Sequence, residues 1–163
     1  MNLGAGRGLS VVLVEPEIHF NTGNIGRTCV GAGARLHLVG KLGFSLDDKE
    51  IRRSGLDYWP RLDLRLHANF PAFLQAVEPE APLFFFSAEA ERDYWSAPFV
   101  PGSYLIFGKE SVGLPRELRE RHRDRCYRVP HSDAIRSLNL STCAGVVLYE
   151  ALRKASASVG AGG

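Results

Sequence analysis

The chain has 163 residues, 45% hydrophobic and 23% charged, the balance of an ordinary globular protein and enough for one domain around one core. No apolar run approaches the ~20 residues of a membrane span, and the glycine-rich start, Met1 to Gly8, lacks the apolar stretch of a signal peptide, so a cytoplasmic location with no membrane partner is expected. The net charge of +2 by itself says little about nucleic acid.

In chain order, Leu9 to Val14 (LSVVLV) reads as a buried strand and Leu36 to Val39 as a second. Between them a helix should begin near Asn21, with Asn21 and Thr22 able to cap it, and end near Gly31 or Gly33. A short helix is expected over Asp47 to Ser54, stopped by Gly55. Leu62 to Leu66 alternates apolar and charged residues, the pattern of a half-exposed strand. A helix follows from Asn69 to Val77, with Pro71 in its first turn. Leu83 to Ser87 and Tyr104 to Phe107 are short continuous apolar runs, as in strands of a parallel sheet buried on both faces, and Cys126 to Val129 is a weaker run of that kind. Pro115 opens a charged segment, Arg116 to Arg125, whose interleaved acids and arginines read as a solvated face.

The last helix should run from about Asn139 to Lys154. Leu140, Cys143, Ala144, Val147 and Ala151 form one apolar face, while Val146, Leu148, Tyr149 and Leu152 occupy much of the rest. Such a helix buries more than one side, either between the sheet and a loop or between the core and a partner subunit. Alternating strands and helices give an α/β domain from residue 9 to 154 with a mostly parallel sheet and flanking helices. Met1 to Gly8 and Ala155 to Gly163 are expected to be flexible ends.

Cys29, Cys126 and Cys143 form no C-x-x-C pair, and none has a histidine at metal-ligand spacing, so they read as reduced, buried thiols and no metal is expected. Sixteen of the 20 basic residues are arginine; either a compositional bias or a need for bidentate phosphate contact would produce this.

Three segments hold more polar groups and glycines than turns need. Glu15 to Arg27 follows the first strand, where open α/β sheets bind ligands. Phe107 to Pro115 places two glycines around Lys109 and Glu110, directly after a buried strand. Val129 to Ser141 offers Ser137, Asn139 and Ser141 at alternate positions, whereas an N-cap needs only one such residue. The phosphate-loop pattern G-x-x-x-x-G-K-[ST] and the dinucleotide pattern G-x-G-x-x-G are both absent from the sequence.

The segments N-T-G-N-I-G-R-T, L-I-F-G-K-E-S-V-G-L-P and R-S-L-N-L-S-T-C-A-G, in this order, resemble the three motifs of the SPOUT methyltransferases. The likeness extends from about Ser10 to Lys154 and is closest to the short members that methylate the 2′-hydroxyl of the tRNA wobble nucleotide, cytidine or uridine 34. It departs from them at His19 and Phe20, where the family often has proline first.

The resemblance implies a C-terminal trefoil knot, which general rules of topology would not suggest. It also implies S-adenosyl-L-methionine as methyl donor, S-adenosyl-L-homocysteine as product, no metal, and a homodimer acting on tRNA. The cofactor residues it implies are Phe86, Ser87, Gly108, Glu110, Gly113, Val129, Ser137 and Leu138. The catalytic set is Arg27, which would contact the ribose hydroxyl, supported by Asn21, Glu110, Ser137 and Asn139. RNA contacts fall on Arg27, Arg52, Arg53, Lys109 and Arg136, and the dimer contact on Val146 and Tyr149. An RNA-binding module without transferase activity, or an unrelated α/β enzyme on a small metabolite, are the competing readings. The intact second and third motifs speak against the first of these. The missing nucleotide and metal motifs speak against the second.

Overall fold

Among the described residues, six strands, paired in parallel throughout, form one sheet in the order β3-β2-β1-β5-β4-β6. The strands are β1 (Ser10–Val14), β2 (Arg35–Val39), β3 (Leu64–His67), β4 (Leu83–Phe86), β5 (Tyr104–Phe107) and β6 (Cys126–Tyr127). The helices are α1 (His19–Ala32), α2 (Phe70–Ala76), α3 (Arg116–Arg121) and α4 (Leu140–Gly160). The computed structural model describes residues 8–47, 49 and 57–161. The helix expected over Asp47 to Ser54 therefore falls mostly outside the described residues, as do Arg52 and Arg53.

The apolar runs are strands because both faces of the sheet are covered. Successive residues of β1 point to opposite sides. Val11 and Leu13 pack with α1 and α4, through Ile25, Cys29, Ala144, Val147, Leu148 and Ala151. Val12 and Val14 pack on the other side with Phe73, Phe85, Tyr104 and Ile106. On that second side His37 is buried, its Nδ1 2.9 Å from Nε2 of His67. Burial, helped by the neighbouring His67, holds the His37 imidazole down at about 4.

Several boundaries differ from those read off the sequence. α1 begins at His19, and its N-cap position is Ile18, with no capping side chain of its own. Asn21 and Thr22 are buried inside the helix rather than capping it. Its other end agrees: Gly33 takes the left-handed conformation (φ 69°) that stops the helix. Leu62 and Asp63 are not yet in β3, because a 3-10 turn over Trp59–Arg61 precedes them. β6 is only two residues long; beyond it, Arg128 bonds to the Arg92–Tyr94 loop instead of to β4.

The remaining helices follow their capping signals. Asn69 caps α2 by accepting from the Ala72 N–H. Asn139 caps α4 by accepting from the N–H groups of Ser141 and Thr142. α3 carries the i,i+4 pairs Arg116–Glu120 and Glu117–Arg121 on its exposed surface. α4 continues past Lys154 to Gly160 because tertiary contacts hold it: Ala155 is fully buried and the Lys154 ammonium donates to the Trp95 and Ala97 carbonyls. No helix among the described residues is long and apolar enough to cross a membrane.

β1 and β5 are the central neighbours, with Leu13 opposite Phe107. From β1 the chain goes to β2 on one side, while β5 lies on the other. The loops leaving the ends of β1 and β5 therefore meet at a crevice beyond the strand ends, the usual ligand position of an open α/β sheet.

Candidate active site

The loops after β1 and β5 are joined by three carboxylates. Glu15 directly follows β1 with a left-handed backbone (φ 52°), the only non-glycine residue with positive φ among those described. Its carboxylate lies 3.3 Å from the Lys109 ammonium. Glu17 accepts from both the N–H and the hydroxyl of Ser111, at 2.9 and 2.6 Å. Those two hydrogen bonds hold its carboxyl below the ordinary glutamate range. In return, Glu110 accepts from the N–H groups of Glu17 and Ile18, at 2.9 and 2.6 Å.

Glu110 thus satisfies backbone donors at the head of α1, where the helix dipole favours negative charge. This explains how α1 starts without a local cap. The carboxylate also accepts from the Asn21 amide at 3.3 Å. Asn21 accepts in turn from the Asn139 amide at 3.2 Å. One hydrogen-bonded chain, Glu110–Asn21–Asn139, runs through all three sequence motifs.

The loop after β5 closes tightly on itself. A Cβ added at Gly108 would lie 2.0 Å from the Gly113 carbonyl carbon, so only glycine fits there. Gly113 has φ 73°, again a glycine conformation. Lys109 accepts at its carbonyl from the Gly113 N–H, which pins the turn.

This turn and the 137–140 loop wall a cavity of about 800 Å³. Of the residues singled out from the sequence, Asn21, Phe86, Ser87, Gly108, Lys109, Glu110, Gly113, Val129, Arg136, Ser137, Leu138 and Asn139 all line it. The Gly108–Gly113 loop, Ser111 and Val112 included, is where the resemblance put it, whereas Ile18, Ala88, Glu89, Phe107, His131, Leu140 and Cys143 were missed as lining residues. Phe107 and Leu140 adjoin named motif positions, and neighbourhood alone could have suggested them. Cys143 lies one turn into α4; burial pushes its thiol up to about 11, so it is a wall and not a nucleophile.

The other singled-out residues do not line the cavity. Arg27 is exposed on the third turn of α1, with its guanidinium over the ring of Tyr58. Val146 and Tyr149 are exposed on α4. Lys109 lines the cavity but is paired to Glu15, and the arginines around α3 are paired with acids: Arg119 with Glu89, and Arg123 with Glu91.

The geometry makes a pocket in which apolar walls (Phe86, Phe107, Val129, Leu138, Leu140) alternate with a few fixed polar groups. That is the design of a site for a small organic cofactor. Helix α1 leads from this pocket to Arg27, which makes no hydrogen bond or ion pair among the described residues.

Comparisons with known proteins agree with this arrangement. Residues 8–149 match the model of the SpoU rRNA Methylase family. A tRNA (cytidine(34)-2'-O)-methyltransferase of Burkholderia ambifaria is 44% identical over 154 residues, covering 93% of this chain and 99% of that protein. A solved structure described as giving structural insights into the 2-OH methylation of C/U34 on tRNA is 46% identical. It superposes with a TM-score of 0.86 over 90% of this chain and 95% of its own. An AdoMet-bound rRNA methyltransferase from Sinorhizobium meliloti is 26% identical, with a TM-score of 0.80 over 89% of this chain and 56% of its own. With the motifs in order, the cavity between them and a family match over most of its length, this chain belongs to the SpoU rRNA methylase family.

Proposed function

We propose that the protein is an S-adenosylmethionine-dependent RNA 2′-O-methyltransferase whose substrate is the wobble nucleotide, cytidine or uridine 34, of tRNA. The observation that carries this reading is the cavity joined through Glu110, Asn21 and Asn139 to the helix bearing Arg27. The likeness to wobble methyltransferases supports the choice of nucleotide.

The cavity fits the cofactor. Its volume of about 800 Å³ is within the range of small-molecule sites. Phe86, Val129, Leu138 and Leu140 offer apolar cover for an adenine, and the Ser87, Ser137 and Gly108–Gly113 groups offer hydrogen bonds. Bound there, S-adenosylmethionine supplies a methyl group on a sulfonium and its own neutral leaving group. The chain's task is then to position and polarise. Arg27, with five donors and no acceptor, orients the ribose 2′-hydroxyl and stabilises the negative charge that develops on its oxygen as the O–CH3 bond forms, the S–CH3 bond breaks and the proton passes to solvent water. Arg136 at the cavity rim, together with Arg27, is the proposed RNA contact.

The same proposal includes a trefoil knot in the C-terminal half, for which the parallel order β5-β4-β6 and the return of α4 against α1 are the support. It also includes a cytoplasmic location and a homodimer. The dimer reading is supported by Val146 and Tyr149, 38% and 50% exposed on α4, and by Ile18 and Phe20, exposed at the head of α1. Val146→Glu should convert dimers to monomers in light scattering at micromolar concentration and lower activity with them; an unmodified protein that scatters as a monomer overturns this interface.

The direct test is mapping of 2′-O-methylation across cellular RNA with and without the gene. Loss confined to nucleotide 34 of some tRNAs is expected. Loss at an rRNA position instead would keep the chemistry and overturn the substrate.

A further inference from the structure

Arg27, exposed on the third turn of α1, is held in an unusual way for a cation. Among the described residues it makes no hydrogen bond and no ion pair; its contact is the face of Tyr58, whose ring centroid is 5.8 Å from the guanidinium carbon. That is within the ~6 Å reach of a cation–π contact. The tyrosine itself is fixed: it is 9% exposed, and its hydroxyl donates to the Gly23 carbonyl at 2.6 Å. In an α-helix the carbonyl of residue 23 also accepts the N–H of residue 27. Tyr58 therefore grips the same helical turn twice, at the backbone bond of Arg27 and at its side chain.

Gly26 lets the neighbouring segment approach. A Cβ at Gly26 would lie 3.3 Å from Leu62 and 3.4 Å from Trp59, so the segment carrying Tyr58, Trp59 and Leu62 rests directly on the small-residue face of α1. The manner of holding has a chemical consequence. A carboxylate partner would occupy up to two of the five guanidinium donors and offset the charge. An aromatic face restrains the group from one side and leaves every N–H donor for the substrate.

We propose that Tyr58 is a positioning residue for methyl transfer, aiming the Arg27 guanidinium at the ribose while leaving its donors unused. The inference rests on the reading of Arg27 as the group that meets the 2′-hydroxyl.

The test is steady-state and single-turnover methylation of tRNA by four variants, with S-adenosylhomocysteine affinity measured on each. Tyr58→Leu removes the ring face and should lower kcat about tenfold, with cofactor affinity unchanged. Tyr58→Phe keeps the face and loses only the hydroxyl; it should stay within about threefold of the unmodified enzyme. In an Arg27→Ala background, Tyr58→Leu should cost no further rate, because the ring then has nothing to aim. A merely structural role predicts the opposite: Tyr58→Leu would weaken cofactor binding, and its loss would multiply with that of Arg27→Ala. Either result overturns the proposal, as does full kcat in Tyr58→Leu. If Arg27→Ala alone turns over normally, the assignment of Arg27 fails and the role of Tyr58 with it. If Arg27→Ala is impaired and Tyr58→Leu is not, only the role of Tyr58 fails.

Discussion

Two turns of α1 serve the site in opposite ways. At its head, Glu17, Ile18 and Asn21 are committed to Glu110, Ser111 and Asn139, through hydrogen bonds between 2.6 and 3.3 Å. On its third turn Arg27 meets, among the described residues, an aromatic face and no hydrogen-bond acceptor. The contrast follows from the tasks. A loop that must hold a cofactor is made rigid by hydrogen bonds from the groups behind it. A group that must meet charge appearing only in the transition state has to keep its hydrogen-bonding capacity in reserve.

The largest expected effect separates the two turns. Arg27→Ala should lower kcat by ~10²–10³, the usual loss when a positioned donor to developing charge is removed, while calorimetry finds cofactor affinity nearly unchanged. Weakened cofactor binding would show that the third turn belongs to the pocket after all. Glu110→Ala should act the other way round. It removes the acceptor of two backbone N–H groups and one amide. Cofactor dissociation should rise on the order of tenfold, the range for losing charge-assisted hydrogen bonds at a partly exposed site. Glu110→Gln, which keeps one oxygen acceptor, should recover part of that affinity.

Ser111→Ala is gentler still. It deletes the 2.6 Å bond from the hydroxyl to Glu17 but leaves the 2.9 Å bond from the N–H. A change of about threefold in cofactor affinity is expected, and none in the rate at saturating cofactor. A change in rate alone would break the division between the turns.

The smallest effect on activity is expected from the opposite face of the sheet, which serves as a control. His37 has its folded-state value lowered to about 4 by burial and by the neighbouring His67, Arg35 and Arg65, with Asp63 opposing. The unfolded chain therefore binds the proton first, so stability is full above about 6.5 and is lost as pH falls toward 4. Thermal melts should drop by roughly 5 °C across that window. His37→Leu should flatten the slope, with cofactor affinity at neutral pH unchanged.

How much of this is visible in the sequence depends on how far each determinant reaches. Strands such as Val11–Val14 and the cap at Asn69 are set by neighbouring residues, and they appear where local patterns put them. The motif positions around the cavity were also legible, since Gly108, Gly113, Ser137 and Asn139 are polar or glycine where an ordinary turn needs fewer. The start of α1 was not. Asn21 looks like a cap, but the carboxylate that satisfies the helix head lies 92 residues away, and no local pattern encodes it. Likewise α4 passes Lys154 because the Trp95 and Ala97 carbonyls receive that side chain. Tyr58 escaped notice for the same reason: its role depends on a tertiary contact with Arg27 and Gly23.

The chain Glu110–Asn21–Asn139 has a consequence for the birth of the protein. Its links join residues 89 and 118 positions apart. During synthesis, at ~5–20 residues per second, the head of α1 waits on the order of ten seconds for Glu110 to emerge, and longer for Asn139. Until then its first turn lacks the partner that satisfies it, and the cavity lacks two of its walls. A ligand stabilises only the state that binds it, by ~2.7 kcal/mol at a hundredfold excess over its dissociation constant. S-adenosylmethionine in that cavity therefore reinforces finished chains alone, and a ribosome that stops short of α4 releases a product the cofactor cannot rescue.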